Sequence, residues 1–374
     1  MSFTPCKLKD AIELAYGKSL PARDRKDGDI PVYGSGGVGG FHNQALIEGP
    51  GIILGRKGTI GSVFYEKEDF FPIDTVYYVK TDPQNIVQRF AYYLLKNLPL
   101  KQLNTDAAVP GLNRDIAYDV KINLPDITIQ NGIVKILETY DDFIENNRRR
   151  IQLLEESARL LYKEWFVQLR FPGHEHVKII NGVPEGWSLK TLTEVSAVNE
   201  QSLKKGFDGE IEYVDIASVS PNALNETTWY EFEDAPGRAR RVLRHKDIIW
   251  SCVRPNRRSH ALVWMPHDRL IASTGFTVIS AKKISPCYLY QYLTTNSYVG
   301  YLTNNAGGAA YPAVTAKVFE NSEVLVPTEN LQIEYENFAE SIYQEMQLLS
   351  EQNKKLAQAR DILLPRLMNG ALTV

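Results

Sequence analysis

The sequence predicts an α+β protein made of two β-rich α/β globules in tandem repeat, separated by two long antiparallel coiled-coil helices. Three observations lead to this prediction. The chain of 374 residues shows the same order of local patterns twice, each copy ends in a long run of heptad-spaced apolar residues, and short strand-like segments with turn residues precede each run. A chain of this length can form two domains, each with its own hydrophobic core.

An internal duplication is the first of these observations. The segment VPGLNRDIAYDVKINLP, which ends at Pro125, matches YPAVTAKVFENSEVLVP, which ends at Pro327, at an offset of about 200 positions. Three further pairs keep the same order along the chain: GIILGRKG (51–58) with DIIWSCVRP (247–255), IDTVYYV (73–79) with ASTGFTV (272–278), and KLKDAIEL (7–14) with SLKTLTEV (188–195). The retained order indicates a duplicated unit.

Long helices are predicted by apolar residues that recur at alternating steps of four and three. In the first copy this spacing runs from Ile133 to Trp165, and no proline or glycine occurs between Ile133 and Arg170. Such a helix spans roughly 55 Å at about 1.5 Å per residue. Because a 3.5-residue period is satisfied by a partner helix, we expect the two helices to pack on each other. The residues expected in this packing are Ile144, Asn147, Ile151, Leu154 and Leu161 in the first helix, and Met346, Leu349, Asn353, Leu356 and Leu363 in the second.

Two asparagines interrupt the apolar seams, one in each helix. Asn147 and Asn353 are either buried polar residues that fix the register at a cost in stability, or residues that face solvent. The sequence does not decide between these alternatives.

The predicted segments follow from this pattern. They are a first globule at 1–128, a central spacer helix at 129–170, a linker at 171–186, a second globule at 187–328 and a C-terminal spacer helix at 329–370. Gly370 is the predicted stop of the second helix.

Composition excludes several classes of protein. Apolar residues make up 44% of the chain and charged residues 23%, which is typical of globular rather than disordered chains. No apolar run is long enough to cross a bilayer, and the first residues do not form a signal peptide, so we expect no membrane contact. The three cysteines, Cys6, Cys252 and Cys287, are odd in number and far apart, which favours a reducing cytoplasm over disulfides or a metal site.

The glycine-rich segment PVYGSGGVGG at Pro31–Gly40 resembles the dinucleotide-binding fingerprint. A dinucleotide site also needs a helix that opens on the last glycine and an acidic residue some twenty positions later, and FHNQALIEGPG offers neither. A nucleotide-binding enzyme is therefore the weaker alternative. The second copy lacks this loop, so we interpret it as a variable binding element in which Ser35, His42 and Asn43 supply hydrogen-bonding edges.

Motifs of known catalytic sites are missing from the sequence. It contains no GxSxG elbow, P-loop or HExxH, and no Asn/Asp-Pro-Pro-aromatic tetrapeptide of the kind that adenine methyltransferases use. The net charge of −3 argues against a wholly positive surface, but local basic segments exist at RARRVLRHK (238–246) and RPNRRSH (254–260), with a smaller one at Arg56 and Lys57. The sequence therefore offers binding chemistry and no reaction chemistry.

In this combination of motifs the chain resembles the DNA-specificity subunit of type I restriction-modification systems. The segments that carry the resemblance are PVYGSGGVGGFHN, IILGRKGTIGSVFY, FPIDTVYYV, GLNRDI with INLP, LLYKEWFVQLRFPG and GVPEGWSLKTLTEV. The resemblance covers essentially the whole chain and includes the duplication. Each segment alone is a weak signal, but their order together with the two helices is specific.

The resemblance implies a non-catalytic DNA-binding subunit. Each globule would be a target-recognition domain that reads one half of a bipartite site in double-stranded DNA, and the helices would act as a spacer that docks methyltransferase subunits. S-adenosylmethionine would then bind to those partners, and ATP to a nuclease and translocase subunit where one exists, so we expect no cofactor or metal in this chain. A related methyltransferase-only or fused restriction-modification system is an alternative, and a purely structural coiled-coil scaffold is another, which leaves the basic segments unexplained.

The candidate DNA contacts combine the basic segments with the polar positions beside them. Arg56 and Lys57 are candidates to clamp phosphate, and Arg56 is also a candidate to bind guanine O6 and N7. Phosphate contact is expected for most of the basic strip formed by Arg238, Arg240, Arg241 and Arg244. The full set is Ser35, His42, Asn43, Arg56, Lys57, Thr59, Arg114, Arg238, Arg240, Arg241, Arg244, Arg254, Asn256, Arg257, Arg258, His260 and Lys317.

Overall fold

The duplicated sequence patterns fold into two sheet-rich units. A computed structural model describes residues 3–104, 110–204, 206–225, 227–308 and 310–374. Unit 1 consists of Met1–Asn146 together with Gln352–Val374, and unit 2 of Asn147–Glu351. Each unit therefore combines a strand-rich segment with parts of two long helices.

The elements of unit 1 follow the alternation of apolar runs and turn residues along its sequence. Its strands are β1 (Phe3–Lys7), β2 (Ile12–Tyr16), β3 (Ile30–Gly34), β4 (Gly37–His42), β5 (Gly51–Gly55), β6 (Val63–Glu66), β7 (Phe71–Pro72), β8 (Val76–Thr81) and β9 (Lys121–Pro125). Its helices are α1 (Gln88–Asn97), α2 (Arg114–Tyr118) and the first part of α3 (Ile127–Tyr162), with single 3-10 turns at Leu8–Asp10, Ala22–Asp24 and Leu100–Gln102.

A four-stranded antiparallel sheet with the order β2-β8-β5-β6 is the centre of unit 1. Every residue of β5 is buried, as expected for a central strand with the sequence GIILG. A smaller sheet has the order β4-β3-β7, and β1 pairs with β9. The core extends from Leu14 and Ile52 onto Leu137 of α3 and onto Leu364 and Leu367 near the end of the chain.

The elements of unit 2 include more short strands than those of unit 1. They are β10 (Ile179–Ile180), β11 (Val183–Pro184), β12 (Ser188–Thr191), β13 (Ser196–Val198), β14 (Glu210–Val214), β15 (Val219–Ser220), β16 (Ala223–Leu224), β17 (Thr228–Glu231), β18 (Ala239–Val242), β19 (Asp247–Ser251), β20 (His260–Leu262), β21 (Leu270–Ser273), β22 (Phe276–Ala281) and β23 (Glu323–Val326). The helices are α4 (Leu192–Val195), α5 (Pro286–Leu293), α6 (Asn296–Asn304), α7 (Ala316–Glu320) and α8 (Glu329–Met368), with a π-helical turn at Lys163–Val167 and 3-10 turns at His174–His176 and Pro255–Arg257.

Unit 2 contains a sheet with the order β13-β22-β19-β20 and a second sheet with the order β17-β14-β21-β18. Its main core is aromatic. The ring of Phe166, in the π-helical turn, lies edge-on to Tyr288 at 4.6 Å and to Tyr335 of α8 at 5.0 Å between centroids. The predicted linker is also packed, since Phe171 is buried and its ring lies 5.5 Å from that of Trp187.

The sheet order β2-β8-β5-β6 of unit 1 is repeated as β13-β22-β19-β20 in unit 2, and the β1–β9 pair is repeated as β12–β23. A pair of matched glutamines reproduces this correspondence at the level of single atoms. Gln130 accepts a hydrogen bond from Val87 N and donates one to Pro125 O. Gln332 accepts one from Ser285 N and donates one to Pro327 O. The same side chain therefore fixes the first turn of each long helix, which supports the predicted tandem repeat.

The structure corrects the match predicted at the start of the repeats. The sequence aligned KLKDAIEL (7–14) with SLKTLTEV (188–195), which pairs Leu8 with Leu189. In the structure Lys7 opposes Lys121 and Thr191 opposes Glu323, so the equivalent of Leu8 is Leu192. Leu8 and Leu192 are fully buried, whereas Leu189 is 59% exposed. The Leu-Lys dipeptide that suggested the match lies on a strand surface in the second copy and therefore carries no packing information.

The long helices run antiparallel within each unit. In unit 2, Arg150 forms an ion pair of 2.6 Å with Glu345, while Trp165 lies against Phe338. In unit 1, Asp141 pairs with Arg360 at 2.7 Å. Among the predicted packing residues, Ile144, Asn147, Met346 and Leu349 are buried, and Ile151, Leu154, Leu161, Asn353, Leu356 and Leu363 are half-buried.

Asn147 is a buried polar residue and does not face solvent, since it is only 7% exposed. The predicted α+β class with two sheet-rich globules and long helices is confirmed. Within the described residues, no helix combines the length and the apolar character that a bilayer crossing requires.

Candidate nucleic-acid interface

A short loop after β5 carries the first candidate residues of unit 1. Its backbone is fixed to the segment before α2, because Gly58 N donates to Pro110 O at 2.9 Å and Leu112 N donates to Arg56 O at 2.8 Å. The side chain of Arg56 donates through Nε and Nη2 to the carbonyl oxygen of Asp74 at 3.2 and 2.7 Å. Arg56 is therefore held at the end of the central strand by its own guanidinium group.

Three predicted cations of unit 1 lie around one tyrosine. The guanidinium carbon of Arg56 is 5.2 Å from the ring centre of Tyr16, and that of Arg114 is 5.1 Å from the same ring. With Lys57 and Asn113 they line a pocket of about 200 Å³. We call this cavity the Tyr16 pocket; its other lining residues are Tyr77, Gly111, Leu112 and Asp115.

The floor of the Tyr16 pocket is rigid and uncharged. Tyr77 is buried and donates its hydroxyl to Leu112 O at 3.1 Å. Burial raises the pKa of Tyr77 to about 12, with a smaller contribution from Tyr16, so the hydroxyl stays protonated at neutral pH. The positive charge of the pocket is therefore not reduced by a tyrosinate.

The glycine-rich segment forms a β-hairpin rather than a nucleotide loop. Strands β3 and β4 pair antiparallel around a turn at Ser35–Gly36, and residues 43–50 contain no helix. The structure of this described segment therefore contradicts the nucleotide-binding alternative, which requires a helix N-terminus at the pyrophosphate. Ser35 lies beside the cationic loop. Its carbonyl oxygen accepts a hydrogen bond from Ser62 Oγ, and its hydroxyl lies 3.4 Å from the point that a Cβ atom would occupy if Gly58 had a side chain.

Of the other candidates near the hairpin, Asn43 and Thr59 are exposed. His42 differs from the prediction, because it is buried and its Nδ1 accepts from the backbone N of Lys26 at 3.0 Å. A histidine whose ring is enclosed this way supports the hairpin and is not part of the exposed surface.

The equivalent loop of unit 2 has the same attachment. Arg254 N donates to Pro312 O at 2.7 Å, and Val314 N donates to Cys252 O at 2.9 Å. The guanidinium of Arg254 lies 4.6 Å from the ring of Tyr311, which is 69% exposed. The corresponding loop of unit 2 therefore presents an arginine beside a tyrosine. Asn256 and Arg257, which follow Arg254 in sequence, are exposed, and so is Lys317.

Arg258 and His260 line a separate pocket of about 300 Å³ against α3, with Glu155 and Asn222. His260 was predicted at the DNA surface but is buried, and its Nδ1 lies 3.1 Å from the hydroxyl of Tyr290. Burial, with a smaller contribution from Arg258, lowers the pKa of His260 to about 3, so the imidazole is neutral at physiological pH. It therefore adds no positive charge for DNA.

The predicted arginine strip around β18 is not one surface. Arg240 lies over the ring of Phe232 at 4.7 Å, and Arg241 donates to Ser202 Oγ at 3.2 Å. Arg244 is bound by the carboxylate of Glu200. Arg238 is exposed, which leaves it as the open cation of this strip.

Sequence reasoning missed the aromatic partners of the cations. Tyr16 and Tyr311 are exposed tyrosines at the end of a strand and in a loop, and neither position gives a sequence signal. Tyr16 is distant in sequence from both Arg56 and Arg114, so only the fold brings the three together.

Two β-rich units repeat one sheet order, and each carries a cationic loop attached by the same two backbone hydrogen bonds. Residues 2–156 match the family model described as type I restriction modification DNA specificity domain. The type I restriction enzyme MjaIX specificity subunit of Methanocaldococcus jannaschii is 23% identical over 406 aligned positions, covering 98% of this chain and 93% of the relative. The HindI specificity subunit of Haemophilus influenzae is 23% identical over 331 positions, covering 70% and 71%.

The fold has a counterpart among solved structures. The crystal structure of the type I restriction-modification S subunit from M. genitalium covers 98% of this chain and 96% of its own, with a TM-score of 0.60 at 17% identity. The family model matches the first part of the chain and the two relatives are 23% identical to it, so the chain is similar to type I restriction-modification specificity subunits. The resemblance predicted from the sequence is confirmed, because the matching family model and these relatives are those of type I specificity subunits.

Proposed function

We propose that this chain reads a bipartite site in double-stranded DNA, with unit 1 and unit 2 each contacting one half-site. The observation that carries the proposal is the repeated loop, fixed by the same two backbone hydrogen bonds in both units and cationic in both, at Arg56–Gly58 and at Cys252–Arg254. Two copies of one recognition scaffold in one chain fit two half-sites better than one continuous site. The long helices then act as the spacer between the half-sites.

The charge of these loops supports contact with DNA. Within the described part of the chain, Arg56, Lys57, Arg254 and Arg257 form no ion pair with a carboxylate, whereas Arg89, Arg150 and Arg360 do. Arginine and lysine without an internal partner are available to phosphate and to base edges.

We further propose that α3 and the turn after it dock a methyltransferase subunit. Leu153, Leu160 and Val167 recur every seven residues and are 68%, 48% and 58% exposed. They lie on a different face from Leu154, Ala158 and Trp165, which pack into the core of unit 2. An apolar stripe with a heptad period suits a helix of another protein. The partner would supply S-adenosylmethionine and the methyl transfer, and a nuclease subunit, where present, would supply ATP-driven cleavage.

The bipartite proposal is tested by the methylated motif of cells that carry this chain with its methyltransferase subunit. We expect two short specific sequences separated by a fixed run of unspecified bases. A continuous methylated motif would contradict the spacer role of the helices. If the complex assembles but the DNA carries no methylated motif, recognition by this chain would be contradicted.

A further inference from the structure

We infer that the Tyr16 pocket binds one phosphate of the DNA backbone, and that Tyr16 is the positioning residue that holds Arg56 and Arg114 around it. The inference deepens the proposed DNA recognition, on which it rests, by assigning a ligand to one pocket of unit 1. It assigns contact with phosphate rather than with a base edge to residues for which the sequence alone does not distinguish the two.

The charge of the pocket is uncompensated. The side chain of Arg114 makes no hydrogen bond or ion pair within the described part of the chain, and its Nε is buried without a partner. Within the described residues the guanidinium group of Arg56 donates only to the carbonyl oxygen of Asp74, which leaves its positive charge intact. Lys57 is exposed at the rim, and Asp115 is the one carboxylate among the lining residues. Three cations and one acid leave the pocket with a net positive charge.

Tyr16 explains how two guanidinium groups are kept together without an acid between them. The electron-rich face of an aromatic ring attracts a cation but does not neutralise it. Both guanidinium carbons lie about 5 Å from the centre of the Tyr16 ring, and Arg114 also lies 5.9 Å from the ring of Tyr118. The two charges are therefore placed for an anion instead of being consumed by a salt bridge.

The shape of the site favours phosphate over a base. Base edges lie inside the grooves and are read by side chains that protrude from the protein, whereas phosphate oxygens project outward from the duplex and fit a recess. The Tyr16 pocket is a recess of about 200 Å³ bounded by guanidinium, amine and amide groups. Its aromatic ring contacts both guanidinium groups.

Unit 2 has neither arginine of this arrangement at the equivalent position, since the repeated hydrogen bonds match Arg56 with Cys252 and Gly58 with Arg254. Leu112 and Val314 occupy equivalent positions in the repeated hydrogen bonds, so the equivalent of Arg114 is Ala316. Arg254 and Tyr311 form a single cation–aromatic pair in place of the two-arginine pocket. We therefore assign the phosphate clamp to unit 1 alone.

The test uses the complex of the full chain with its methyltransferase subunit, bound to duplexes that carry its methylation motif. Each phosphate in turn is replaced by an uncharged methylphosphonate, and the dissociation constant is measured. We expect one position where neutralisation weakens the wild-type complex about tenfold but has no further effect on Arg114→Ala or Tyr16→Ala. Arg114→Ala is also expected to lower the slope of log affinity against log salt by about one and to leave the methylated motif unchanged.

Two variants serve as controls. Tyr16→Phe keeps the ring and should bind like the wild type. Lys317→Ala removes an exposed cation of unit 2 and should leave the sensitive methylphosphonate position sensitive. The phosphate assignment would be overturned if every methylphosphonate weakened DNA binding by Arg114→Ala as much as it weakens binding by the wild type. A changed base in the methylated motif of Arg114→Ala would also overturn it. A wild-type complex that does not bind DNA would instead contradict the proposed function itself.

Discussion

Glu155 and His260 face the same cavity of unit 2, and burial favours the neutral form of each. Burial alone raises the pKa of Glu155 to about 7, and it lowers the pKa of His260 to about 3. The other charged groups at this cavity are Glu156 and Arg159, which pair with each other, and Arg258. These two residues therefore give the stability of the chain opposite dependences on pH.

The signs follow from proton linkage. Glu155 holds a proton in the folded state that the unfolded chain releases above its ordinary pKa of about 4.3, so its contribution to stability is lost as pH rises from there to about 7. His260 lacks a proton that the unfolded chain binds below about pH 6.5, so its contribution is lost as pH falls from there to about 3. Between roughly pH 4.5 and 6.5 the two slopes cancel.

Replacement of Glu155 by glutamine should remove one of these slopes. We expect Glu155→Gln to match the wild type near pH 4.5 and to exceed it by about 1–2 kcal/mol in free energy of unfolding at pH 8, a figure discounted for solvent screening. Urea unfolding at a series of pH values measures the difference. Glu156→Gln is the matched control, because Glu156 is an exposed partner of Arg159, and it should show no such pH-dependent gain. An unchanged difference from pH 4.5 to 8 would show that Glu155 is solvated in the folded chain.

At the scale of elements, two adjacent leucines of α3 have opposite environments, one in the core and one at the surface. Leu154 packs against the core of unit 2, while Leu153 is 68% exposed. Leu154→Ser should lower the free energy of unfolding by about 2–3 kcal/mol, because it removes buried apolar surface. Leu153→Ser should change stability by less than about 0.5 kcal/mol.

Binding to the methyltransferase subunit should reverse this order. Leu153→Ser is expected to weaken assembly about tenfold or more, since it interrupts the exposed stripe, while the folded fraction of Leu154→Ser should assemble normally. Thermal unfolding and a titration with the partner subunit measure the two effects. If a double variant with both Leu153→Ser and Leu160→Ser assembles normally, the partner docks elsewhere.

The elements also show which features the sequence could predict. The heptad run of α3 and the strand GIILG were readable because helix and strand periods are local properties. Gln130 and Gln332 were not predicted, although each lies five residues after the matched Pro125 or Pro327, because a polar residue gives no signal of burial. The match of Leu8 with Leu189 was wrong because similarity of a few residues does not report which face of a strand is buried.

The candidate site was less predictable for a physical reason. Arg56, Lys57 and Arg114 were found from charge and repeat position, and the fold brings them to one pocket. His42 and His260 were misplaced because a basic or polar neighbourhood in sequence does not reveal enclosure by Phe71 or Tyr290. Tyr16 was missed because its contacts depend on the pairing of β2 with β8, which no local pattern encodes.

At the scale of the whole molecule, the two repeats are expected to read DNA independently. Arg254 donates one hydrogen bond of 3.4 Å to Ala310 O and otherwise lies on the exposed Tyr311, so most of its donors remain free for a base edge. We expect Arg254→Ala to relax one half of the methylated motif, at about 1–3 kcal/mol for the base concerned, and to leave the other half unchanged.

Arg254→Lys is the matched control for this prediction. Lysine keeps the charge but lacks the planar pair of donors, so a relaxed half-site in both variants indicates base readout, whereas rescue by lysine indicates phosphate contact. Sequencing of methylated genomic DNA measures both. Relaxation of both halves by Arg254→Ala would show that the units do not read DNA separately.

The discontinuous make-up of unit 1 has a consequence for biosynthesis. Leu364, Leu367 and Met368 complete a core whose other buried residues all lie at or before Leu137. A ribosome adding about 5–20 residues per second needs roughly 11–45 s to translate the intervening ~230 codons. The globule that emerges first is therefore completed after the second one, and during that interval its unfinished apolar surface is open to aggregation unless chaperones cover it.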